Sequence, residues 1–347
     1  MKQLRLLLLP FSFIYGFVLF IRHFLYDRGW LKSYRFSKPV LVVGNLVVGG
    51  AGKSPMTEYL IRLLSPLAKV AILSRGYGRK TVGFVEVQTS SRVDEVGDEP
   101  LQFKTKFPDI TVADCENRVV GLTHLMNEHD VFILDDAFQH RRVEPSLGIL
   151  LFDFDSLQRN KLLLPAGNYR DLFWRRNRAN AIVVTKTPVE LTEQAKNRAL
   201  RALALKRSTP VFFSWIDYGS AIHLFNDCSK KLSHDAFMVV TGIANPVPFL
   251  NYLKTQGEIK KICTFEDHHQ FTIKDIAKIK AQWESLNKEV IIVTTEKDAM
   301  RLKHPELRAA LSDLPIYYIP IELKFHETGN DFDSFIRKQV FSGSISD

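Results

Sequence analysis

A glycine-rich stretch that leads into a lysine and a serine contains the residue types that bind phosphate. It reads LVVGNLVVGGAGKS over residues 41–54, and the apolar run at 40–43 predicts a buried strand directly before it. Glycine tolerates left-handed backbone, so successive N–H groups can surround an anion, and a helix beginning at Ser54 would point its positive end at the same place. Lys53 would reach the outer phosphates of a nucleotide, and the Ser54 hydroxyl would ligate Mg²⁺. The predicted nucleotide-binding residues are Gly49, Gly50, Ala51, Gly52, Lys53 and Ser54.

Two acids follow another apolar run further along the chain. The run VFIL at 131–134 predicts a buried strand, and Asp135 and Asp136 come directly after it. An acid at the tip of a strand downstream of a phosphate loop commonly holds Mg²⁺ directly or through water. Gln139 and His140 come next, with a pair of arginines that suits either a phosphorylated substrate or a solvated face.

Asp98 and Glu99 begin a predicted helix that runs through Phe103. Acids at a helix start commonly serve as caps and complement the helix dipole. Asp98 could instead be the general base that takes the proton from an attacking hydroxyl. The sequence spacing does not decide between these interpretations.

Asp267, His268 and His269 follow a predicted strand at 259–264. One interpretation is a surface loop before a helix that starts at Thr272. The other is that one of the histidines orients Asp98, since catalytic pairs commonly couple a carboxylate with an imidazole.

Further polar residues follow predicted strands or occupy loops. Ser74 and Arg75 come after the run KVAIL, at the strand edge where ligands of open α/β folds bind. Arg170 and Asp171 lie in the loop LLLPAGNYRDL, which carries a turn signal.

The alternation of strands and helices predicts an α/β fold with two units. A parallel-sheet domain similar to P-loop NTPases is expected over 39–215, with a helix at 330–342 returning to it. A smaller α/β domain is expected over 216–325. Two extended, aromatic segments, VFFSW at 211–215 and IYYIPIEL at 316–323, are predicted to pair as a two-stranded linker between them.

The N-terminal segment, residues 1–38, is apolar and then basic. Residues 6–21 carry no charge, but they are fewer than the roughly 20 residues that a spanning helix needs and they include Pro10 and Gly16. Aromatic and basic residues follow, which favours a helix lying at a membrane surface. A buried core helix is the alternative.

Composition limits the possible classes of protein. The chain has 347 residues with 46% hydrophobic residues, which excludes a disordered protein. Its formal charge of +9 points to an anionic partner such as nucleic acid, a membrane or a phosphorylated molecule. A GTPase would need a guanine-reading Asn-Lys-x-Asp string, which the sequence lacks. A soluble kinase of a small metabolite and a nucleic-acid-stimulated NTPase remain as alternatives.

The strings taken together resemble the tetraacyldisaccharide 4'-kinase family. They are, in order, GNLVVGGAGKSP, LSRGYGR, GDEP, DDAFQH, LPAGNYRD, TGIANP, DHHQFT and TTEKDA. The resemblance extends over residues 39–300, and the apolar N-terminal segment is shared. Val47 stands where the general phosphate-loop pattern has glycine, but the family also lacks that glycine. Ser54, Ala137-Phe138 and Asp171 stand where the family usually has Thr, Gly-Leu and Glu.

The resemblance implies an enzyme that uses ATP and Mg²⁺ to phosphorylate the 4' hydroxyl of a tetraacyl glucosamine disaccharide 1-phosphate. The substrate would be a lipid A precursor at the cytoplasmic face of the bacterial inner membrane, and the protein would be a peripheral monomer without a nucleic-acid partner. Asp98, His268 and Lys53 would be catalytic. Ser54, Asp135 and Asp136 would hold the metal. The remaining site residues would be Ser74, Arg75, Glu99, Gln139, His140, Arg170, Asp171 and His269.

Overall fold

The protein, described by a computed structural model over residues 4–206, 208–226, 228–233, 235–326 and 330–342, contains two β-sheets flanked by helices. The first sheet has nine strands in the order β15-β8-β7-β6-β1-β5-β2-β4-β3, and the second has six in the order β10-β9-β14-β13-β11-β12. The strands are Val40–Asn45 (β1), Val70–Ser74 (β2), Val85–Glu86 (β3), Thr111–Asp114 (β4), Val131–Leu134 (β5), Leu147–Asp153 (β6), Ala181–Thr185 (β7), Val211–Tyr218 (β8), Ala221–His223 (β9), Ser229–Lys230 (β10), Asp235–Thr241 (β11), Gly257–Thr264 (β12), Ile291–Thr295 (β13), Ile316–Ile319 (β14) and Ile321–Phe325 (β15).

The helices lie between these strands, as expected for an α/β fold. They are Leu9–Asp27 (α1), Lys53–Leu64 (α2), Val93–Val96 (α3), Asp98–Lys106 (α4), Arg118–Leu125 (α5), Glu193–Leu203 (α6), Val247–Gln256 (α7), Ile273–Glu284 (α8), Glu296–Leu302 (α9), Pro305–Leu311 (α10) and Asn330–Phe341 (α11). Short 3₁₀ helices cover Leu4–Leu8, Ser156–Gln158 and Phe173–Arg178.

Strand β1 is central in the first sheet and is buried along its whole length. It pairs in parallel with β5 on one side and β6 on the other. Because side chains alternate along a strand, Leu41 and Val43 enter the core on one face, and Val40 and Val42 enter the core on the other. This two-sided burial explains the continuous apolar run and places the end of β1 at the middle of the sheet edge.

The chain leaves the first sheet after β8 and returns to it at β15, and these two strands pair antiparallel. Strand β15 pairs with the far end of β8, with Ile321 opposite Tyr218 and Phe325 opposite Ser214. The segment predicted as one strand at 316–323 is divided at Pro320, because β14 belongs to the second sheet. Proline has no N–H to give to a ladder, so the break falls where a strand changes sheet. The paired linker therefore exists, but it is shorter and later in the chain than the sequence indicated.

Helix α1 keeps one narrow face on the protein. Only Ser12, Leu19 and His23 of its residues are buried. The Ser12 hydroxyl donates to the carbonyl of Leu163 at 3.0 Å, and the Tyr15 hydroxyl donates to the carbonyl of Arg170 at 2.8 Å. The helix is therefore attached beside the 162–172 loop, with most of its apolar side chains outward.

Candidate active site

The phosphate loop occupies residues 46–52, between the end of β1 and the start of α2. Gly49 and Gly52 have φ values of +113° and +83°, in the region that favours glycine. Gly52 directly precedes α2, so the unpaired N–H groups of the first turn face the loop. Helix α2 begins one residue earlier than the sequence predicted. The geometry suits an anion at this helix start.

The loop at 168–170 lies against the phosphate loop. The Val48 N–H donates to the carbonyl of Asn168 at 2.8 Å, and the Arg170 N–H donates to the carbonyl of Leu46 at 2.9 Å. Arg170 donates from its guanidinium to both carboxylate oxygens of Asp136, and to the Asn45 side-chain oxygen at 2.5 Å. The sequence marked Arg170 as a site residue, but it did not indicate this direct contact with the strand-end acid.

Lys53 and Asp136 face each other at the end of β5. The Lys53 ammonium lies 3.6 Å from the Asp136 carboxylate. Burial acts to raise the pKa of Asp136, but the hydrogen bond from Arg170 and the charge of Lys53 outweigh it and lower this pKa. Asp136 is therefore ionised between two cations, in a left-handed conformation with φ of +47°.

Asp135 is more deeply buried than Asp136 and has one oxygen without a hydrogen-bond partner among the described residues. Its other oxygen accepts from the Thr57 hydroxyl at 3.1 Å. Burial, together with the nearby carboxylates of Glu99 and Asp136, raises the pKa of Asp135 to about 7. An orphaned carboxylate oxygen among other acids is a suitable ligand position for a divalent cation, which would favour the ionised form.

The oxygen donors near Asp135 fit Mg²⁺. The Ser54 hydroxyl donates to Glu99 at 2.7 Å, so a hydroxyl and three carboxylates come from neighbouring elements. The described residues contain no group of three or more His, Cys, Asp or Glu arranged to hold a metal by themselves. Mg²⁺ does not need one, because it keeps several waters and usually takes one or two carboxylates plus substrate phosphates.

Asp98 and His268 come from a helix beside the first sheet and a loop of the second sheet, and they meet beside this acid cluster. His268 Nδ1 lies 2.9 Å from Asp98 Oδ2. Asp98 starts α4, and His268 lies in the loop after β12 with φ of +59°. Burial would raise the pKa of Asp98, but the hydrogen bond with His268 and the charge of Lys297 lower it. A carboxylate that is ionised and held by an imidazole can accept a proton from a hydroxyl.

His268 should make the stability of the protein depend on pH. Its hydrogen bond with Asp98 raises the pKa of His268 despite partial burial. Because the folded protein binds this proton more tightly than the unfolded chain does, protonated His268 stabilises the fold. The stabilisation is complete below the unfolded-state pKa of about 6.5, and it is lost as the pH rises through the folded-state pKa. We expect the difference in free energy of unfolding between the wild type and His268→Gln to be larger at about pH 6 than at about pH 9. Urea unfolding at the two pH values measures it; a difference that does not change with pH would contradict the ion pair.

Two cations of α9 were missed from the sequence. Lys297 donates a hydrogen bond to Glu99. Burial acts to raise the pKa of Glu99, but the Lys297 ammonium outweighs it and lowers this pKa to about 2. The guanidinium nitrogens of Arg301 lie 3.6 Å from a carboxylate oxygen of Asp98 and 2.5 Å from one of Asp298. A signal was available for Lys297 alone, because the string TTEKDA at 294–299 places it directly after the buried strand β13.

The other predicted site residues occupy different positions. Gln139 donates to the carbonyl of Asn45 at 2.9 Å, beside the phosphate loop. Burial and nearby arginines lower the pKa of His140 to about 4, so its imidazole is neutral. Ser74 ends β2 and is buried, and Arg75 follows it with an exposed side chain.

Asp171 and His269 contact structural partners. Asp171 pairs with His23 of α1 at 2.7 Å, and both side chains are fully buried. His269 lies 3.1 Å from Asp275, the acid that caps the start of α8. Asp171 therefore fixes the N-terminal helix to the 162–172 loop, and His269 contributes to a helix cap.

Comparison with known proteins agrees with this geometry. A sequence profile described as tetraacyldisaccharide-1-P 4'-kinase matches residues 4–340. The chain belongs to this family. It is 41% identical to the tetraacyldisaccharide 4'-kinase of Flavobacterium johnsoniae over 345 residues, covering 98% of each chain. It is 40% identical to the same enzyme of Flavobacterium psychrophilum over 353 residues, covering both chains completely.

A solved structure of the family has the same fold. It is the crystal structure of the "apo" form of LpxK from Aquifex aeolicus in complex with ATP, with a TM-score of 0.75 and 29% identity. The match covers 97% of this chain and 100% of that one. The predicted α/β kinase fold is confirmed, and the chain is an ATP-dependent kinase of the tetraacyldisaccharide 4'-kinase family rather than a metabolite kinase or a nucleic-acid NTPase.

Proposed function

We propose that the protein transfers the γ-phosphate of ATP to the 4' hydroxyl of a tetraacyl glucosamine disaccharide 1-phosphate, a lipid A precursor. The observation that carries the proposal is the Asp98–His268 pair, which lies next to Glu99, the carboxylate that interacts with Lys53 and with Asp135 after β5. A base, a phosphate-binding loop and a metal-binding set of oxygens are the parts that phosphoryl transfer to an alcohol requires.

Each residue has a role that follows from its contacts. Asp98 accepts the proton of the attacking hydroxyl, and His268 orients the carboxylate and stabilises its charge. Lys53 neutralises the terminal phosphate, and Asp136 with Arg170 fixes the position of Lys53. Ser54, Asp135 and Asp136 would hold Mg²⁺. Glu99, which accepts from the Ser54 hydroxyl, would lie next to this metal site. Mg²⁺ held there would supply positive charge to neutralise the charge that develops on the phosphate oxygens.

The substrate-facing residues would be Ser74, Arg75, Gln139 and His140. Exposed Arg75 offers a cation next to the strand ends, which suits the 1-phosphate of the acceptor. His140 is neutral and so can hydrogen-bond to a sugar hydroxyl. Asp171 and His269 act through the elements that they fix. We also propose that the chain forms two domains, one built on each sheet, with α11 returning to the first. The predicted division at 39–215 and 216–325 is kept except at its borders, where the end of β8 and all of β15 belong to the first sheet.

The lipid substrate lies in a membrane, so the protein must contact the membrane surface. The exposed apolar face of α1 is suited to that contact. Residues Arg5–Asp27 form a helix long and apolar enough to cross a membrane, and 17% of its most apolar stretch is buried in the protein. Its outward side chains include Phe11, Phe13, Ile14, Phe17, Val18, Phe20, Ile21 and Phe24. We place this face in the cytoplasmic leaflet of the inner membrane, with the protein peripheral and monomeric.

Removing the apolar side chains of α1 should release the protein from lipid. We expect Phe13→Ser/Phe17→Ser/Phe24→Ser to weaken binding to vesicles by at least about 10³-fold, because each phenylalanine loses a transfer free energy of about 1.5–3 kcal/mol. The variant keeps Ser12, Tyr15 and His23, so α1 stays attached. Vesicle sedimentation measures the binding. If the variant sediments with vesicles as well as the wild type does, a surface other than α1 makes the membrane contact.

The activity can be tested directly. The 347-residue protein is incubated with γ-labelled ATP, Mg²⁺ and a monophosphorylated tetraacyl disaccharide in detergent micelles. Label on the glycolipid at the 4' position supports the proposal, and a parallel reaction with water-soluble glucosamine tests the rival small-metabolite activity. ATP hydrolysis without labelled lipid would overturn the proposed acceptor.

A further inference from the structure

Lys186 lies across the phosphate loop in a backbone conformation that lysine rarely adopts. It follows the last residue of β7 and has φ of +56°. Its ammonium donates to the carbonyl of Gly50, and a Cβ built on Gly50 would lie 3.7 Å from the same nitrogen. Left-handed backbone is unfavourable for a residue with a side chain, and such residues concentrate at ligand sites. None of the roles proposed above uses Lys186.

The neighbours of Lys186 keep it next to the loop. The Thr185 hydroxyl donates to the carbonyl of Ala51 at 2.8 Å, so the end of β7 is attached to the loop. Asp153, at the end of β6 and paired in register with Thr185, lies 3.4 Å from the Lys186 ammonium. The side chains of Lys186 and Asp153 are 27% and 23% exposed. A cation and a carboxylate thus face solvent where β6 and β7 end beside the phosphates.

The direction of the bound nucleotide follows from the sheet order. Strand β1 has β5 on one side and β6 on the other. The acids that would hold the metal and the γ-phosphate follow β5, where Lys53 meets Asp136. With its γ-phosphate beside Asp136, a triphosphate that follows the phosphate loop would run past β1 towards β6 and β7, because the residues at the end of β7 contact Gly50 and Ala51 of that loop. The nucleoside would arrive at Lys186.

We propose that Lys186 binds the nucleoside of ATP. Its aliphatic stem offers an apolar surface to the flat purine, and its ammonium can rest against the ring face as in cation–π contacts. Asp153 is a positioning residue, because its carboxylate holds the ammonium in place. This inference rests on the proposed function only in taking ATP as the nucleotide.

Comparing ATP with inorganic tripolyphosphate separates this role from bracing of the loop. We expect Lys186→Ala to weaken ATP binding by about tenfold and to leave tripolyphosphate affinity within about twofold of wild type. Lys186→Arg should restore most of the ATP affinity, because arginine supplies both a stem and a cation. Asp153→Asn should show the same selective loss in smaller degree. Lys278→Ala, at an exposed position of α8, is the matched control. Isothermal titration calorimetry with Mg²⁺ measures both ligands.

The outcomes distinguish the two hypotheses. Equal losses for ATP and tripolyphosphate would mean that Lys186 only braces Gly50, and unchanged ATP affinity would mean that the nucleoside lies elsewhere; either overturns the inference. Both results would leave the kinase proposal intact, because that is tested by label on the glycolipid. A wild-type protein that binds tripolyphosphate but not ATP would overturn both.

Discussion

Replacing Asp98 by asparagine is expected to lower the turnover number by about 10²- to 10⁴-fold, the usual contribution of a general base. Asparagine has nearly the same shape but cannot take the proton of the acceptor hydroxyl. Nucleotide affinity should change little, because Asp98 contacts His268 and Arg301 rather than the phosphate loop. Steady-state kinetics with the glycolipid and calorimetry with Mg·ATP measure the two quantities separately.

A neighbouring acid provides the control for this experiment. Asp94 lies four residues earlier and pairs at the surface with Lys80 and Arg92. Asp94→Asn should keep the wild-type turnover. If Asp98→Asn keeps near-normal rates, Asp98 is not the base; if it loses ATP affinity in proportion to turnover, its role is to arrange the nucleotide.

Replacing Arg301 by methionine should destabilise the protein by about 3–5 kcal/mol, the cost of leaving one partner of a buried ion pair without the other. Arg301 is 1% exposed and Asp298 is fully buried, with 2.5 Å between nitrogen and oxygen. Arg301 also donates to the carbonyl of Gly242 at 3.0 Å. Asp298 keeps hydrogen bonds from the N–H of Gly242 and the hydroxyl of Thr295, so we expect the lower end of the range.

A second variant distinguishes the unpaired charge from lost packing. Asp298→Asn in addition to Arg301→Met removes the carboxylate charge, and it should recover part of the lost free energy of unfolding. Arg198→Met, at an exposed position of α6, should stay within about 0.5 kcal/mol of wild type. Urea unfolding measures all three. A loss for Arg301→Met no greater than for Arg198→Met would show that this pair contributes little to stability.

Some features of the site follow from adjacent residues alone. The phosphate loop could be predicted because the strand, the glycines and the Lys-Ser pair are consecutive, so local backbone chemistry defines the geometry. The acids at 135 and 136 could be predicted for the same reason, since they directly follow an apolar strand. The strand and helix pattern predicted the fold class, but it missed elements such as β4 and α5, which have only four and eight residues and so show too little periodicity.

Contacts between distant segments could not be read from the sequence. His268 is 170 positions from Asp98, and Lys297 is 198 positions from Glu99. Spacing does not show which strand ends share a sheet edge, so the sequence favoured His268 over His269 without showing its contact with Asp98, and the division into domains at 39–215 and 216–325 remains a prediction. The same limit hid Arg301 and Lys186, which look like ordinary surface cations in the sequence.

A nucleotide-binding α/β fold with an apolar N-terminal segment could be predicted from neighbouring residues and from the periodicity of burial, and the resemblance to a known family added the kinase activity. Which charges neutralise which became visible only in the folded protein. Electrostatic partners are selected by distance in space, and the two sheets bring together carboxylates and cations that the chain keeps far apart.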